Sequence, residues 1–590
     1  MNRWLGLFFG FFLVARAGIA RAEDRSYSAL EQSVTEQELR ARKWELEPAP
    51  EGKRIEDIQI ATIDVFDERD PVPDFVDIFH TTTRKAVVRR ELLFEKGAFY
   101  DQRLADESAR NLRELIQLSI VLVVTAKGST PDRVRVLVIT KDVWSLRLNW
   151  GLQSSNAQIN SLVLNPSEEN LLGQHILVAG IFVLDPATYS LGFDVGHRRF
   201  FGSHVIADFE ANFIKNRDTG ESEGSYGDIR WGQPLYSIDT EWSWGAAVLW
   251  RHNVQRRFLG IDVATYNAVA TPQDDRIPIE YKQDLIYGGY ELVRSFGHHY
   301  KNDVSIGFEA VRAAYQVPNL AGFEPRAVAE FTRVQVPVSD QRLSPFVQLH
   351  AHETDFRSLL NVETLALQED FPRGHDLLLR LYSASESLGS TRTLLGSISA
   401  LSYTLPIGDG FVRPSASAQL QYASRGRDDA QFIGDFRFVS PRLGFGRLIL
   451  DEHYLNHFRN YLNNRYVLGG ENRLRGYPVG AFIGANVFAA SAELRTSSVD
   501  ILSAQVGAAT FYDVGDANDD ARKFVLKQDA GVGLRILFPE FDRVIFRADW
   551  GFPLSTGLGY QPLPGAFFVS FEQAFAMPGI TPPSLLTTTL

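Results

Sequence analysis

The chain has 590 residues, enough for one large domain with a small companion or for three of average size. It has no cysteine, which excludes a disulfide scaffold, a thiolate metal site and a lipid anchor on an N-terminal cysteine, and its net charge of −12 argues against nucleic acid as a main partner. No stretch offers about 18 uninterrupted apolar residues, so no helical membrane span is expected, yet 12% of residues are aromatic. Composition leaves two classes open: a soluble all-β secreted protein, or a membrane β-barrel whose hydrophobicity is hidden in alternation.

Residues 1–22, beginning MNRWLGLFFGFF, read as a signal peptide. Arg3 supplies the positive start, Leu5 to Ala15 the short apolar run, and Ala20-Arg21-Ala22 the small residues of a cleavage site. Residues 23–52 are charged and end in ELEPAPEG, a helix-prone lead and linker. Residues 53–142 follow the order β-α-α-β-β. Ile55, Ile58, Ile60 and Ile63 mark the first strand, and Val88 and Leu92 share a helical face. Asp101 caps a second helix that carries Leu104, Ser108, Leu112 and Leu115 at helical spacing. SIVLVVTAKG and DRVRVLVITKD close the unit as two strands.

From residue 143 to 575 the period changes to two. In VWSLRLNWGL, Trp144, Leu146, Leu148 and Trp150 fall on one face and Ser145, Arg147 and Asn149 on the other. EWSWGAAVLW, HVIADFEANF and VRPSASAQLQY repeat the alternation. Aromatics near strand ends, and some 430 residues without a helical interlude, favour a membrane barrel over a sandwich. About 27 residues per strand and connection predicts sixteen strands, although nearer twenty candidates can be picked out. Residues 255–282, 317–344 and 354–374 look like long loops. The last convincing strand is FFVSFEQAF, with Phe567, Val569, Phe571 and Phe575 on one face, before a tail of low structure at 576–590.

GGENRLRGYP (469–478) invites two readings. A glycine-rich loop with arginine can cradle phosphate, but no GxxxxGK[ST] and no strand-to-helix context accompany it. The alternative rests on parity. Glu493 shares a face with Ser491 and Arg495, and Asp513 shares one with Gln505 and Gly507, so both acids point to the polar side of their strands. A guanidinium there would find the carboxylates its planar donors need.

The set Arg475-Gly476-Tyr477, Glu493 in VFAASAELR, and Phe511, Asp513 and Gly515 in FYDVG, following an α+β unit, resembles the BamA/TamA superfamily of outer-membrane assembly and translocation barrels. LLFEKGAFYDQRLADESARNLREL likewise resembles a POTRA domain. The resemblance implies an antiparallel transmembrane β-barrel behind a periplasmic POTRA domain. It also implies a plug loop folded into the lumen, with Arg475, Gly476 and Tyr477 at its tip and Glu493, Phe511, Asp513 and Gly515 as wall partners. The first strand (Trp144, Leu146, Leu148, Trp150) would meet the last (Phe567, Val569, Phe571, Phe575) at a seam that opens laterally.

The expected role is insertion, assembly or translocation of other polypeptides at the outer membrane. Extended clients would join an edge offered by Ile120 to Val124 and Val134 to Ile139. A two-partner-secretion pore, usually with two POTRA domains and a plug helix, and a passive pore are the alternatives. Expected partners are outer-membrane lipid, unfolded clients and periplasmic accessory proteins, with no nucleic acid. No enzyme activity, cofactor, catalytic residue or metal site is expected: HYLNH (His453, His457) lacks the Glu of HExxH, and His298 and His299 read as surface residues. Arg473 has no assigned partner.

Overall fold

The computed structural model describes residues 27–63, 65, 81–155, 158–259, 261–318, 320–471, 473–555, 563–571 and 573–574. The signal peptide and the 576–590 tail of the sequence analysis lie outside these residues. A helix, Ala29–Arg42, opens the described chain; Ser28 and Glu31 close a reciprocal capping box at its start.

A small α+β domain follows. Its sheet has the order Arg54–Ile63, Arg133–Asp142, Leu118–Lys127, the first pair parallel and the second antiparallel. Helices Lys85–Arg90 and Gln102–Arg113 cover one face, where Val88, Leu112 and Leu115 pack on Ile55, Ile58, Val121 and Val136. Asp101 caps the longer helix, accepting from the Arg103 amide at 2.8 Å. The other face of the sheet is also covered. Ile120, Leu122, Leu137 and Ile139 pack against Leu39 of the N-terminal helix and against Leu365, Leu367, Leu537 and Ile545 of the barrel's connections.

Arg133–Asp142 is therefore the centre of the sheet, which corrects the expectation that Val134 to Ile139 offers an edge: the parallel partner Arg54–Ile63 occupies that side. The edge of Leu118–Lys127 is partly occupied as well, because residues 45–47 bond to Thr125 and Lys127.

From Leu146–Ser155 to Ala566–Phe571 the chain forms one closed antiparallel barrel of twenty strands, Val499–Ile501 prolonging Asn486–Thr496 across a bulge. Twenty replaces the expected sixteen. Several turns are only two or three residues long, as at 297–299 and 408–409, so each strand and connection consumes less chain than the estimate assumed. The alternation sorts as the sequence implied: Phe213, Trp231, Val248, Ile306, Leu379, Leu420 and Trp550 are exposed on the outer wall. Asn212, Ser305, Arg380, Gln421, Glu493 and Asp549 are buried inside it. A continuous apolar belt on a closed sheet is the arrangement lipid requires, since closure pairs the backbone along nearly the whole circumference.

Both mouths are occupied. At the end next to the α+β domain, the hairpin Phe356–Leu360/Gln368–Pro372 folds under the lumen. Its Leu359, Val362 and Phe371 pack on Phe411, Val439 and Ile449 of the wall. Ion pairs tie domain to barrel there: Arg113–Asp370 at 2.6 Å, Lys141–Glu540 at 3.3 Å, and Arg199–Glu91. At the far end, residues 261–279 and helix Pro325–Gln335 form a cap around Phe331 and Ile277. The three stretches read as long loops are the elements that close the two mouths.

Candidate functional site

The connection between Gly446–Asn460 and Asn486–Thr496 enters the lumen from the far end. Gly469 and Gly470 lie at φ +106° and +107°, which turns the chain inward, and Leu474 is left-handed at +57°. Leu474 and Tyr477 are buried with Leu468 against Leu455, Val487, Ala489 and Ala517, giving the loop an apolar footing on the wall. Tyr477 also donates its hydroxyl to the Gln528 carbonyl at 3.0 Å.

Arg475 sits at the tip, fully buried. Its Nε and Nη2 donate to the two oxygens of Asp513 at 2.9 and 3.0 Å, a bidentate fork. Nη1 reaches Glu493 at 2.6 Å and Asp549 at 3.3 Å, and Nη2 also meets Ser491 Oγ at 3.2 Å. The guanidinium carbon lies 3.5 Å from the centroid of the Phe511 ring, so the flat cation is stacked as well as bonded.

Two glycines make room for this. A Cβ on Gly476 would sit 2.4 Å from Asp529 Cβ and 2.9 Å from the Phe552 carbonyl carbon. One on Gly531 would meet the Phe511 ring at 2.2 Å, so GVGLR supplies the slot that holds the ring under Arg475. Gly515 lies beneath Leu474 Cδ1. The structure thus brings Arg475, Gly476 and Tyr477 together with Glu493, Phe511, Asp513 and Gly515.

The network extends past the expected residues. Glu493 also accepts from Arg495 at 2.8 Å and Arg535 at 3.1 Å, and Asp549 accepts from Arg535 and from Arg547 at 3.2 Å. Arg547 returns to the loop through Glu471 at 3.3 Å, and Glu471 accepts from Gln153 of the first strand at 3.0 Å. Asp549 was legible by the same parity: in FRADWGF, Arg547, Asp549 and Gly551 alternate with Phe546, Ala548 and Trp550. Glu471 carried no such signal, because a loop has no period. Arg473 finds a partner too, 3.4 Å from Asp451, which Arg437 holds at 2.8 Å.

Among the described residues, the seam joins Leu152 to Ser155 with Ala566 to Val569. Leu146, Leu148 and Trp150 lie below that segment and pair with the next strand alone, Trp144 precedes the strand, and Phe571 pairs only with Phe546. Phe575 lies outside the described residues. Elsewhere the pairing is long, as between Trp242–Arg256 and Glu280–Phe296, joined along fifteen residues. His453 and His457 stand on one strand and each meets one acid, Asp435 at 2.7 Å and Asp429 at 2.8 Å, with no shared centre.

A model of the Omp85 superfamily domain matches residues 401–570. No curated protein matches the chain. Among solved structures, CdiB from Acinetobacter baumannii is similar at 12% identity and a TM-score of 0.39, over 88% of this chain and 74% of that one. BamA from Haemophilus ducreyi lacking POTRA domains 1–3 is similar at 13% identity and 0.34, over 95% of each. CdiB from Escherichia coli is similar at 12% identity and 0.38, over 88% and 77%. The matched stretch holds the loop tip and all three of its carboxylate partners, so the similarity to the Omp85 superfamily domain covers the part of the wall that builds this site.

Proposed function

We propose that this barrel sits in the outer membrane with its α+β domain in the periplasm as a POTRA module, and inserts or assembles other polypeptides there. The observation that carries the reading is the four-residue seam. Among the described residues, Leu146 to Gly151 have no strand partner on the seam side, so their backbone groups are a template for an incoming strand. Opening four pairs exposes few backbone groups to lipid, and a client strand restores each bond it displaces. The Arg475 network keeps the loop and the C-terminal wall fixed while the edge changes partner. In the receiving domain, residues 97–100 bond to the start of Arg54–Ile63 at Lys53 and Ile55, so the edge for an extended client is the part of that strand beyond Ile55.

Two features support a second reading, a secretion translocator. The Ala29–Arg42 helix packs at the near mouth, and the lumen is filled by segments that displacement would clear. Both filled mouths speak against a passive pore at rest.

The chain has no cysteine, so a Ser154→Cys/Phe567→Cys pair, directly opposed at the seam, can be closed without competing thiols. Proteoliposomes holding the oxidised pair should fail to insert an unfolded barrel precursor and recover on reduction. Full insertion with the seam locked would reject lateral opening. Passage of an unfolded chain through the locked barrel would transfer support to the translocator.

A further inference from the structure

A group of side chains remote from Arg475 is unused by this mechanism. Asp303 and His350 stand directly opposite each other on Tyr300–Gln316 and Asp340–Glu353, and His352 is two residues further on the same inner face. The imidazoles stack with centroids 4.4 Å apart and 20° between planes. Nδ1 of His350 is 3.7 Å and Nδ1 of His352 is 3.9 Å from Asp303 Oδ2. One ligand atom from each residue can be chosen so that all lie within 4.8 Å of one another. Donors bound at about 2.0–2.1 Å to one tetrahedral ion sit roughly 3.3 Å apart, so small side-chain rotations would close the set.

Two atoms there lack hydrogen-bond partners, His352 Nδ1 and Asp303 Oδ1, although Asp303 is only 6% exposed. A buried acceptor with nothing to accept is a costly feature unless something binds it. The remaining nitrogen of His350, Nε2, is 2.8 Å from Asp376 Oδ1 on the next strand. That is the carboxylate contact that orients a metal-bound imidazole and leaves Nδ1 to the ion. Lys301, opposite His352, is drawn off by the Ile238 carbonyl. On one side the group borders a cavity of about 370 Å³ that His352 and Asp303 line with Arg110, Tyr236 and Phe356, so a fourth position is open.

We propose that Asp303, His350 and His352 form a divalent-metal site of the zinc type, joining two barrel strands beside the α+β domain. Two imidazoles and one carboxylate suit a borderline ion; magnesium and calcium prefer all-oxygen sets and copper(I) prefers sulfur. The ligands come from consecutive strands of a rigid wall, so the site is largely prebuilt.

The test uses the full chain, stripped with chelator and folded in detergent micelles, titrated with Zn²⁺ or Co²⁺. One ion per chain should bind, Co²⁺ should give the intense visible bands of a four-coordinate site, and X-ray absorption of the zinc form should show two imidazoles. His350→Ala/His352→Ala should abolish that binding, and Asp376→Asn should weaken it roughly 10–100-fold, as for removal of other orienting carboxylates. His299→Ala should leave it unchanged; that exposed residue belongs to a separate group with half-buried Glu353 and exposed Asp355. The proposal is overturned if the folded wild type binds no stoichiometric zinc, if its absorption spectrum shows fewer than two imidazoles, or if His299→Ala removes the ion. The wild-type spectra decide the matter even where a variant fails to fold.

Discussion

Replacing Arg475 with alanine removes one guanidinium from a network of four guanidiniums (Arg475, Arg495, Arg535, Arg547) and four carboxylates (Glu471, Glu493, Asp513, Asp549). The loss is unevenly shared. Glu493 keeps Arg495 and Arg535, and Asp549 keeps Arg535 and Arg547. Asp513 loses its bidentate partner and retains Ser491 Oγ at 2.7 Å and the residue-475 amide at 3.2 Å. One buried carboxylate without a counter-ion costs about 3–5 kcal/mol. Arg475→Ala and Asp513→Ala should each destabilise by about that amount, and the double variant should cost less than their sum, with a coupling of about 1–3 kcal/mol. Urea unfolding in detergent, followed by tryptophan fluorescence and by heat-dependent gel migration, measures this. Trypsin cleavage within 469–478 reports loop release. Single variants within about 0.5 kcal/mol of wild type, with the loop equally resistant, would refute the claim that Arg475 anchors it.

Gly476→Ala should expel the loop tip, because the new Cβ would lie 2.4 Å from Asp529 Cβ beside backbone at 2.9 Å; about 1–3 kcal/mol of lost stability and faster tryptic nicking are expected. Arg113→Ala should free the near-mouth hairpin from Asp370, read as faster hydrogen exchange across 356–372 with the far-end cap unchanged. That hairpin also carries a pH dependence. Burial pushes the Glu369 carboxyl up to about 8, against the amides of residues 362–364 that bond to it. A folded-state value above the ordinary 4.5 means the contribution is complete below about pH 4.5 and is lost as pH rises through about 8. Protection of the hairpin amides, with the intrinsic pH dependence of exchange divided out, should therefore fall between about pH 4.5 and 8 and level off above, and Glu369→Gln, which keeps an acceptor oxygen, should flatten that fall.

Parity made most of the wall legible. In a strand the side-chain period is two, so parity was enough to place Glu493 and Asp513 on the lumen face, while Arg475 as their partner followed from the family resemblance. Sheet order was not legible: that Arg54–Ile63 lies parallel to Arg133–Asp142, and so buries its edge, depends on how the chain crosses over rather than on any residue's character. The strand number failed for a different reason: alternation offered nearer twenty candidates, but sixteen rests on about 27 residues per strand and connection, more chain than turns as short as Gly408-Asp409 need. The role of residues 354–374 was hidden as well. A loop whose Leu359, Val362 and Phe371 are buried reads like any mixed segment until the wall that buries them is known.

The partners of Arg475 lie 18, 38 and 74 residues away, all on the C-terminal side and all on strands that precede the seam. The charged tip need never be pushed into a finished tube. An open sheet running from Gly446–Asn460 to Phe546–Pro553 already supplies Glu493, Asp513 and Asp549, so the loop can dock on a curved surface, with the N-terminal strands wrapping round it afterwards. These contacts close shorter loops than any between the tip and the N-terminal strands would, which favours that order. The loop is then a mandrel for the barrel, fixing the curvature of its last third before the circle is closed.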